Sequence, residues 1–216
     1  MKIKAHIQPG TNVLITGGSS GIGLALAENL VRRGCNVYLV ARRKELLEQR
    51  VIELKAQALP ANQKIEGIQA DVADWQQVQE KADQFIKAGI TPDLLINSAG
   101  VVQPGYVQEL QIEHFHWMMD VNYHGTVHVV KAFLPEMMQR KSGYIVNIAS
   151  VGGLVGVFGY TAYSGSKFAV CGFTEALRWE LASYQIGVSI VLPSDTETPQ
   201  LEYDIQHKPP ETKAIT

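Results

Sequence analysis

Short, almost uninterrupted apolar runs alternate along this chain with longer stretches of helical composition. Val37-Tyr38-Leu39-Val40 and Ser189-Ile190-Val191-Leu192 show little polar alternation, the pattern of strands covered by helices on both faces of a parallel sheet. The run at Val13-Leu14-Ile15 gives way to a glycine-rich turn and then to Leu24-Ala25-Leu26-Ala27-Glu28-Asn29-Leu30, which has helical composition. Read in this way, the chain predicts strands near 12–16, 36–40, 64–70, 93–97, 143–149 and 187–192. Helices are predicted near 21–33, 43–58, 74–88, 112–140 and 161–184. Strand and helix in regular alternation specify an α/β, doubly wound parallel sheet. There is no internal repeat or low-complexity segment.

With 216 residues and no break in composition, 1–216 is expected to form a single domain with a substantial core. In 112–140, Val127, Val129, Val130, Phe133, Leu134, Met137 and Met138 exceed what one sheet-facing stripe requires, which predicts a second buried face and a partner. His114 and His116, with Phe115, Met118 and Met119, shape the start of that helix. The segment 193–216, with Pro193-Ser194-Asp195-Thr196-Glu197-Thr198-Pro199 and Pro209-Pro210, reads as a lid or tail. It has few apolar anchors, so mobility is expected.

Charge removes one class of function. A net charge of −2 and a pI near 6.3 leave no electrostatic footprint for nucleic acid. Cys35 and Cys171 form no C-x-x-C pair and sit in apolar stretches, as reduced core thiols do, which predicts a cytoplasmic protein. Residues 1–6 show no secretory leader. No apolar run reaches the roughly 18 to 20 residues that span a bilayer, although peripheral contact with a membrane stays compatible. His124 and His128 have zinc-compatible spacing, but no glutamate lies between them and no third ligand is evident, so no metal is expected.

The chemistry concentrates in two motifs. Tyr163 and Lys167, at i and i+4, share a helix face. At about 5 Å and an effective dielectric near 20, the ammonium would favour phenolate by about 3 kcal/mol, roughly 2.4 pKa units. A phenol so tuned could exchange protons near neutral pH, which suits interconversion of a carbonyl and an alcohol. Taken alone, the pair is also what an ordinary helix produces by chance. The second motif is Thr16-Gly17-Gly18-Ser19-Ser20-Gly21-Ile22-Gly23. Gly17 permits a tight turn, Gly21 lets backbone approach a pyrophosphate at a helix N-terminus, and Gly23 lets helix and strand pack closely.

These motifs, with Asn97-Ser98-Ala99-Gly100, Asn122 and Ser150 in that order, resemble the short-chain dehydrogenase/reductase family over nearly the whole chain. The resemblance implies a Rossmann-type sheet of order 3-2-1-4-5-6, with the usual final helix and seventh strand apparently lacking, and a homodimer or homotetramer paired through 112–140 and the helix bearing Tyr163. It implies that Tyr163 is the general acid, that Lys167 tunes it and bonds the nicotinamide ribose, that Ser150 polarises the carbonyl, and that Asn122 holds a water linking Lys167 to solvent. For the cofactor it implies Gly17, Ser19, Ser20, Gly21, Ile22 and Gly23 at the phosphates, Asp71 and Val72 at the adenine, Asn97, Ala99 and Gly100 near the ribose, with Asn97 expected to steady the sheet more than to touch chemistry, and Pro193, Thr196 and Thr198 in the tail. Asp74 is the better candidate for capping the following helix. Ala41 stands where NAD-preferring relatives carry an aspartate. Arg42 and Arg43 follow it, so NADP(H) is expected, although arginines at a strand end can equally be solvated charges.

For the substrate, Gly156 to Ala169 together with the Pro-x-Asp-Thr-x-Thr-Pro tail is similar to the 3-ketodihydrosphingosine reductases, which reduce the ketone of a long-chain sphingoid base with NADPH. Leu154, Val155, Val157, Phe158 and Tyr160 are candidates for an apolar channel, or else pack the active-site loop. Two other readings stay open. One is a reductase of another carbonyl, whether 3-oxoacyl, steroid or xenobiotic; the other is a non-catalytic NADP-binding regulator.

Overall fold

A computed structural model describes residues 7–59 and 62–215; the reading of 1–6 lies outside them. Six parallel strands, β1 (Asn12–Thr16), β2 (Asn36–Ala41), β3 (Ile65–Gln69), β4 (Leu94–Asn97), β5 (Gly143–Ile148) and β6 (Ile186–Val191), form one sheet of order β3-β2-β1-β4-β5-β6. The order reverses between β1 and β4, which opens a crevice at their carboxyl ends.

Successive strand residues feed two different cores. Val13 and Ile15 face α1 (Gly21–Arg32) and α2 (Lys44–Lys55), where they meet Val31 and Leu47. Leu14 and Leu95 face the other side, toward α3 (Trp75–Lys87), α5 (Gly125–Arg140) and α6 (Thr161–Glu180). Because both faces are covered, every strand position tends to be apolar, and this explains the unalternated runs. The first turn of α3 is held by Asp74, whose carboxylate accepts from the Gln76 and Gln77 N–H groups.

The predicted helix 112–140 is continuous in path but not uniform. α4 (Ile112–Met118) passes into a wide π turn at Met119–His124 and then into α5. Its surplus of apolar residues is partly absorbed within the chain. Val129, Val130, Phe133 and Met137 are buried, Leu134 and Met138 pack on the same core, and α3 lies against α5.

A buried polar chain crosses the sheet. Asn97 Nδ2 donates to Asn147 Oδ1 at 2.9 Å, and Asn147 Nδ2 donates to Thr174 Oγ1 at 2.9 Å. Among the described residues β6 is the sheet edge. Beside it Tyr144 and Val146 are only half-buried and Val191 is exposed.

After β6, the tail folds into α7 (Pro199–His207) and α8 (Pro210–Ile215). Thr198 caps α7 by accepting from Leu201 N–H, with Pro199 at the first helical position. The expected scarcity of apolar anchors is offset by polar ones. The Tyr160 hydroxyl donates to Asp204 Oδ2 (2.6 Å), Tyr203 to Gln103 Oε1 (2.6 Å), Tyr106 to Glu211 Oε2 (2.7 Å) and Thr212 to the Phe158 carbonyl (3.0 Å). No helix among the described residues is long and apolar enough to cross a membrane.

Candidate active site

Two adjoining cavities occupy the crevice. The larger, about 590 Å³, runs from the glycine-rich turn to Ser150, Tyr163 and Lys167 and on to the tail. The smaller, about 180 Å³, is lined by Ser19, Ala41, Arg42, Arg43 and Val72. Gly17, Ser20 and Gly100 border both, so the two read as one elongated trough.

The turn has the shape required to admit a phosphate. Gly17 has φ +68°, and a Cβ there would meet the Ala99 backbone at 2.8 Å. Gly23 does not line the trough. It lets α1 close against β1, since its Cβ would fall 2.5 Å from the Gly17 carbonyl oxygen. The N-terminus of α1 thus points its free N–H groups at the trough. Thr198 reaches over from the tail, its methyl 3.2 Å from where a Cβ on Gly21 would stand.

In the lining of the smaller cavity Arg42 lies 3.7 Å from Asp71, both partly solvated. The other Asp71 oxygen accepts from Ala73 N–H. Asp71 itself does not line the cavity, whereas Val72, Ala99 and Gly100 do. Asn97 belongs to the sheet rather than the trough. It is 3% exposed, lines neither cavity and is bonded to Asn147, so it holds β4 to β5, in agreement with the reading that it steadies the sheet and against its inclusion among the cofactor contacts.

Ser150 lies two residues past β5, capping the short 3-10 turn Val151–Gly153, where its Oγ accepts from Gly152 N–H at 3.1 Å and lies in hydrogen-bonding reach of the Tyr163 phenol. On the facing helix, Lys167 Nζ donates to the Ile148 carbonyl at 3.1 Å and stands 5.7 Å from the centroid of the Tyr163 ring. Asn122 sits in the π turn, buried. Its amide donates to the Val101 carbonyl (3.0 Å) and Ser166 Oγ (2.9 Å), while its Oδ1 accepts from Val101 N–H (2.7 Å). The Asn122 side chain therefore splices the loop after β4 onto α6 beside Lys167.

The electrostatics differ from the sequence estimate. Burial pushes the Tyr163 phenol above its ordinary value, opposed by the Ser150 hydrogen bond and reinforced by Asp204 and Asp195. The lowering expected from Lys167 does not set the direction: desolvation of the buried phenolate is the largest influence, and the hydrogen bond from Ser150 is what opposes it. Burial also pulls Lys167 down to about 8. At neutral pH the pair is therefore a protonated phenol beside a cation, which is the form of a proton donor.

Of the five residues proposed for an apolar channel, Val157 and Tyr160 line the larger cavity, joined by Val102, Val151 and Leu201. Leu154, Val155 and Phe158 are exposed and do not. Pro193, Thr196 and Thr198 do line it. Sequence reasoning missed Asp204, buried in the cavity wall, whose only sequence signal was polarity within a helical stretch; Lys208, quoted only as part of the tail pattern, is buried in the same wall just past α7. The His124 and His128 rings stack 6.3 Å apart, but His124 bonds Asp120 and His128 bonds the Val72 carbonyl.

Comparison with known proteins gives a consistent picture. The family described as short chain dehydrogenase matches residues 11–208. The chain is 40% identical over 208 residues to the 3-dehydrosphinganine reductase of Danio rerio, covering 96% of this chain and 63% of that protein. It is 37% identical over 209 residues to the 3-ketodihydrosphingosine reductase of Bos taurus, with the same coverage. The chain thus spans less than two thirds of the length of these curated relatives. Among solved structures, a single-substitution variant of an actinorhodin polyketide ketoreductase with NADPH superposes with a TM-score of 0.84 at 34% identity, over 92% of this chain and 75% of that one.

Proposed function

This chain belongs to the short-chain dehydrogenase family, and we propose that it reduces the ketone of a long-chain sphingoid base, 3-ketodihydrosphingosine, to the secondary alcohol with NADPH. The observation that carries this reading is the convergence of Ser150, Tyr163 and Lys167 on one cavity that continues into the glycine-rich turn. The names of the relatives in Danio rerio and Bos taurus support the choice of ketone.

The trough fits a dinucleotide by its own chemistry. Backbone at Gly17 and Gly21 and the N-terminus of α1 suit a pyrophosphate, and Arg42 and Arg43 suit a 2′-phosphate. When bound, the nicotinamide supplies a hydride for the carbonyl carbon. Ser150 donates a hydrogen bond that polarises the carbonyl, and Tyr163 passes its phenolic proton to the carbonyl oxygen. Lys167 stabilises the phenolate that remains. The phenol is protonated at working pH, as a donor must be, and its raised value makes stabilisation of the developing phenolate part of the task of the site.

The test is NADPH consumption with 3-ketodihydrosphingosine beside 3-oxoacyl, steroid and short aliphatic ketones. The sphingoid ketone is expected to give the highest kcat/KM. Equal rates across the panel would reject the substrate, and no turnover of any ketone would reject the reductase.

A pH dependence follows from Lys167. Its value of about 8 means that the cation is present below that pH and lost above it. kcat/KM for NADPH, which reports the free enzyme, is expected to fall as pH rises through about 8. A profile flat from neutrality through that value would remove Lys167 from cofactor binding.

A further inference from the structure

The larger cavity is also lined by two carboxylates that the mechanism above does not use. Asp204, on α7, is 7% exposed. Its Oδ2 accepts from the Tyr160 hydroxyl, and its Oδ1 has no hydrogen-bond partner. Asp195, in the loop after β6, is exposed and lines the same cavity. The Tyr160 ring stands 6.1 Å from that of Tyr163, so the Tyr160–Asp204 hydrogen bond places the carboxylate one aromatic ring away from the proton donor. Lys208, one turn further along the tail, also lines the cavity, and its charge reaches Asp204.

We infer that Asp204, assisted by Asp195, recognises an ammonium group carried on the carbon next to the ketone, making this a site for α-amino ketones rather than simple ketones. The inference rests on the reductase reading above and adds to it the residues that select the substrate.

Three considerations support it. A carboxylate removed from water with one oxygen unpaired is costly, and a cationic ligand relieves that cost with a charge-assisted hydrogen bond. Burial holds the Asp204 carboxyl above its usual range, with Asp195 adding to the rise and the Tyr160 hydrogen bond, Lys208 and His207 opposing it, so a cation brought against the unpaired Oδ1 would act in the same sense as those partners. Both carboxylates also disfavour the phenolate that Tyr163 becomes on giving up its proton. An ammonium beside the carbonyl would counter that field where the negative charge develops, so the substrate would supply a favourable term that an uncharged ketone lacks.

The experiment uses the full chain saturated with NADP+ and two probes of equal shortened chain length: a dihydrosphingosine and the matching 1,3-diol without the amine. Wild type is expected to bind the amino diol at least about tenfold more tightly. Asp204→Asn keeps an acceptor for Tyr160 while removing the charge, and should bring the ratio of affinities close to one. Asp195→Asn, at an exposed position with little bearing on folding, should reduce the ratio partway. The same ratio is then read as kcat/KM for the amino ketone against the ketone without the amine. Failure of the wild type to discriminate, or discrimination that survives Asp204→Asn, would overturn the inference and leave the reductase standing. Discrimination between the diols, with neither ketone reduced, would uphold the ammonium site and reject the reductase.

Discussion

Replacing Tyr163 by Phe is expected to lower kcat with the sphingoid ketone by at least about two orders of magnitude while NADPH affinity stays within a few-fold. The variant keeps the ring that packs beside Tyr160 and removes only the hydroxyl. A positioned general acid contributes typically about 10²- to 10⁴-fold, and it acts in the transition state, so the loss should appear in kcat rather than in KM. Ser150 would lose its hydrogen-bonding partner, but it would still accept from Gly152 N–H and hold its place as the cap of the turn after β5. Single-turnover rates with bound NADPH separate this from slow product release. Turnover within a few-fold of wild type would remove Tyr163 from the chemistry.

The second large effect concerns the nucleotide. Wild type is expected to bind NADPH roughly ten- to more than a hundred-fold more tightly than NADH, since a hydrogen bond to an ionised 2′-phosphate contributes about 1.5 to 3 kcal/mol. Joint replacement of Ala41 by Asp and Arg42 by Ser should erase or invert that preference, because a repulsive carboxylate takes the place of an attraction. The structure adds a detail to the expectation: Arg42 already faces Asp71 at 3.7 Å. That pair is partly solvated and weak, and it leaves the guanidinium lining the smaller cavity without consuming it. Dissociation constants for both nucleotides in both proteins, at two salt concentrations, check this. Equal wild-type affinities, or no response to the double substitution, would leave Arg42 as a surface charge.

What the sequence disclosed was whatever a local pattern encodes. The six strands fall within about a residue or two of their expected bounds, because apolar runs between glycine-rich turns are short-range signals. Gly17, Gly21, Gly23, Tyr163 and Lys167 stand in readable spacings. The π turn at Met119–His124 was not legible, since its residues have the same helical composition as those on either side. Nor was the Tyr160–Asp204 hydrogen bond, which joins residues 44 apart through one polar contact and leaves no periodicity behind. The direction of the Tyr163 shift was misjudged for a different reason. Coulomb's law applied to a spacing includes the ammonium and omits the water that burial removes.

The amide chain from Asn97 through Asn147 to Thr174 bears on how the sheet finds its pairing. β4 and β5 are otherwise largely aliphatic where they meet, and with helices on both faces a strand slipped by one residue would still bury apolar side chains. Hydrophobic patterning therefore discriminates poorly against such a slip. In the native alignment Asn97 stands opposite Asn147. Any offset would strand two amides in the interior, each costing about 1 to 3 kcal/mol. The asparagines thus act as a checksum on assembly: they add little to the depth of the native minimum and raise the misaligned ones.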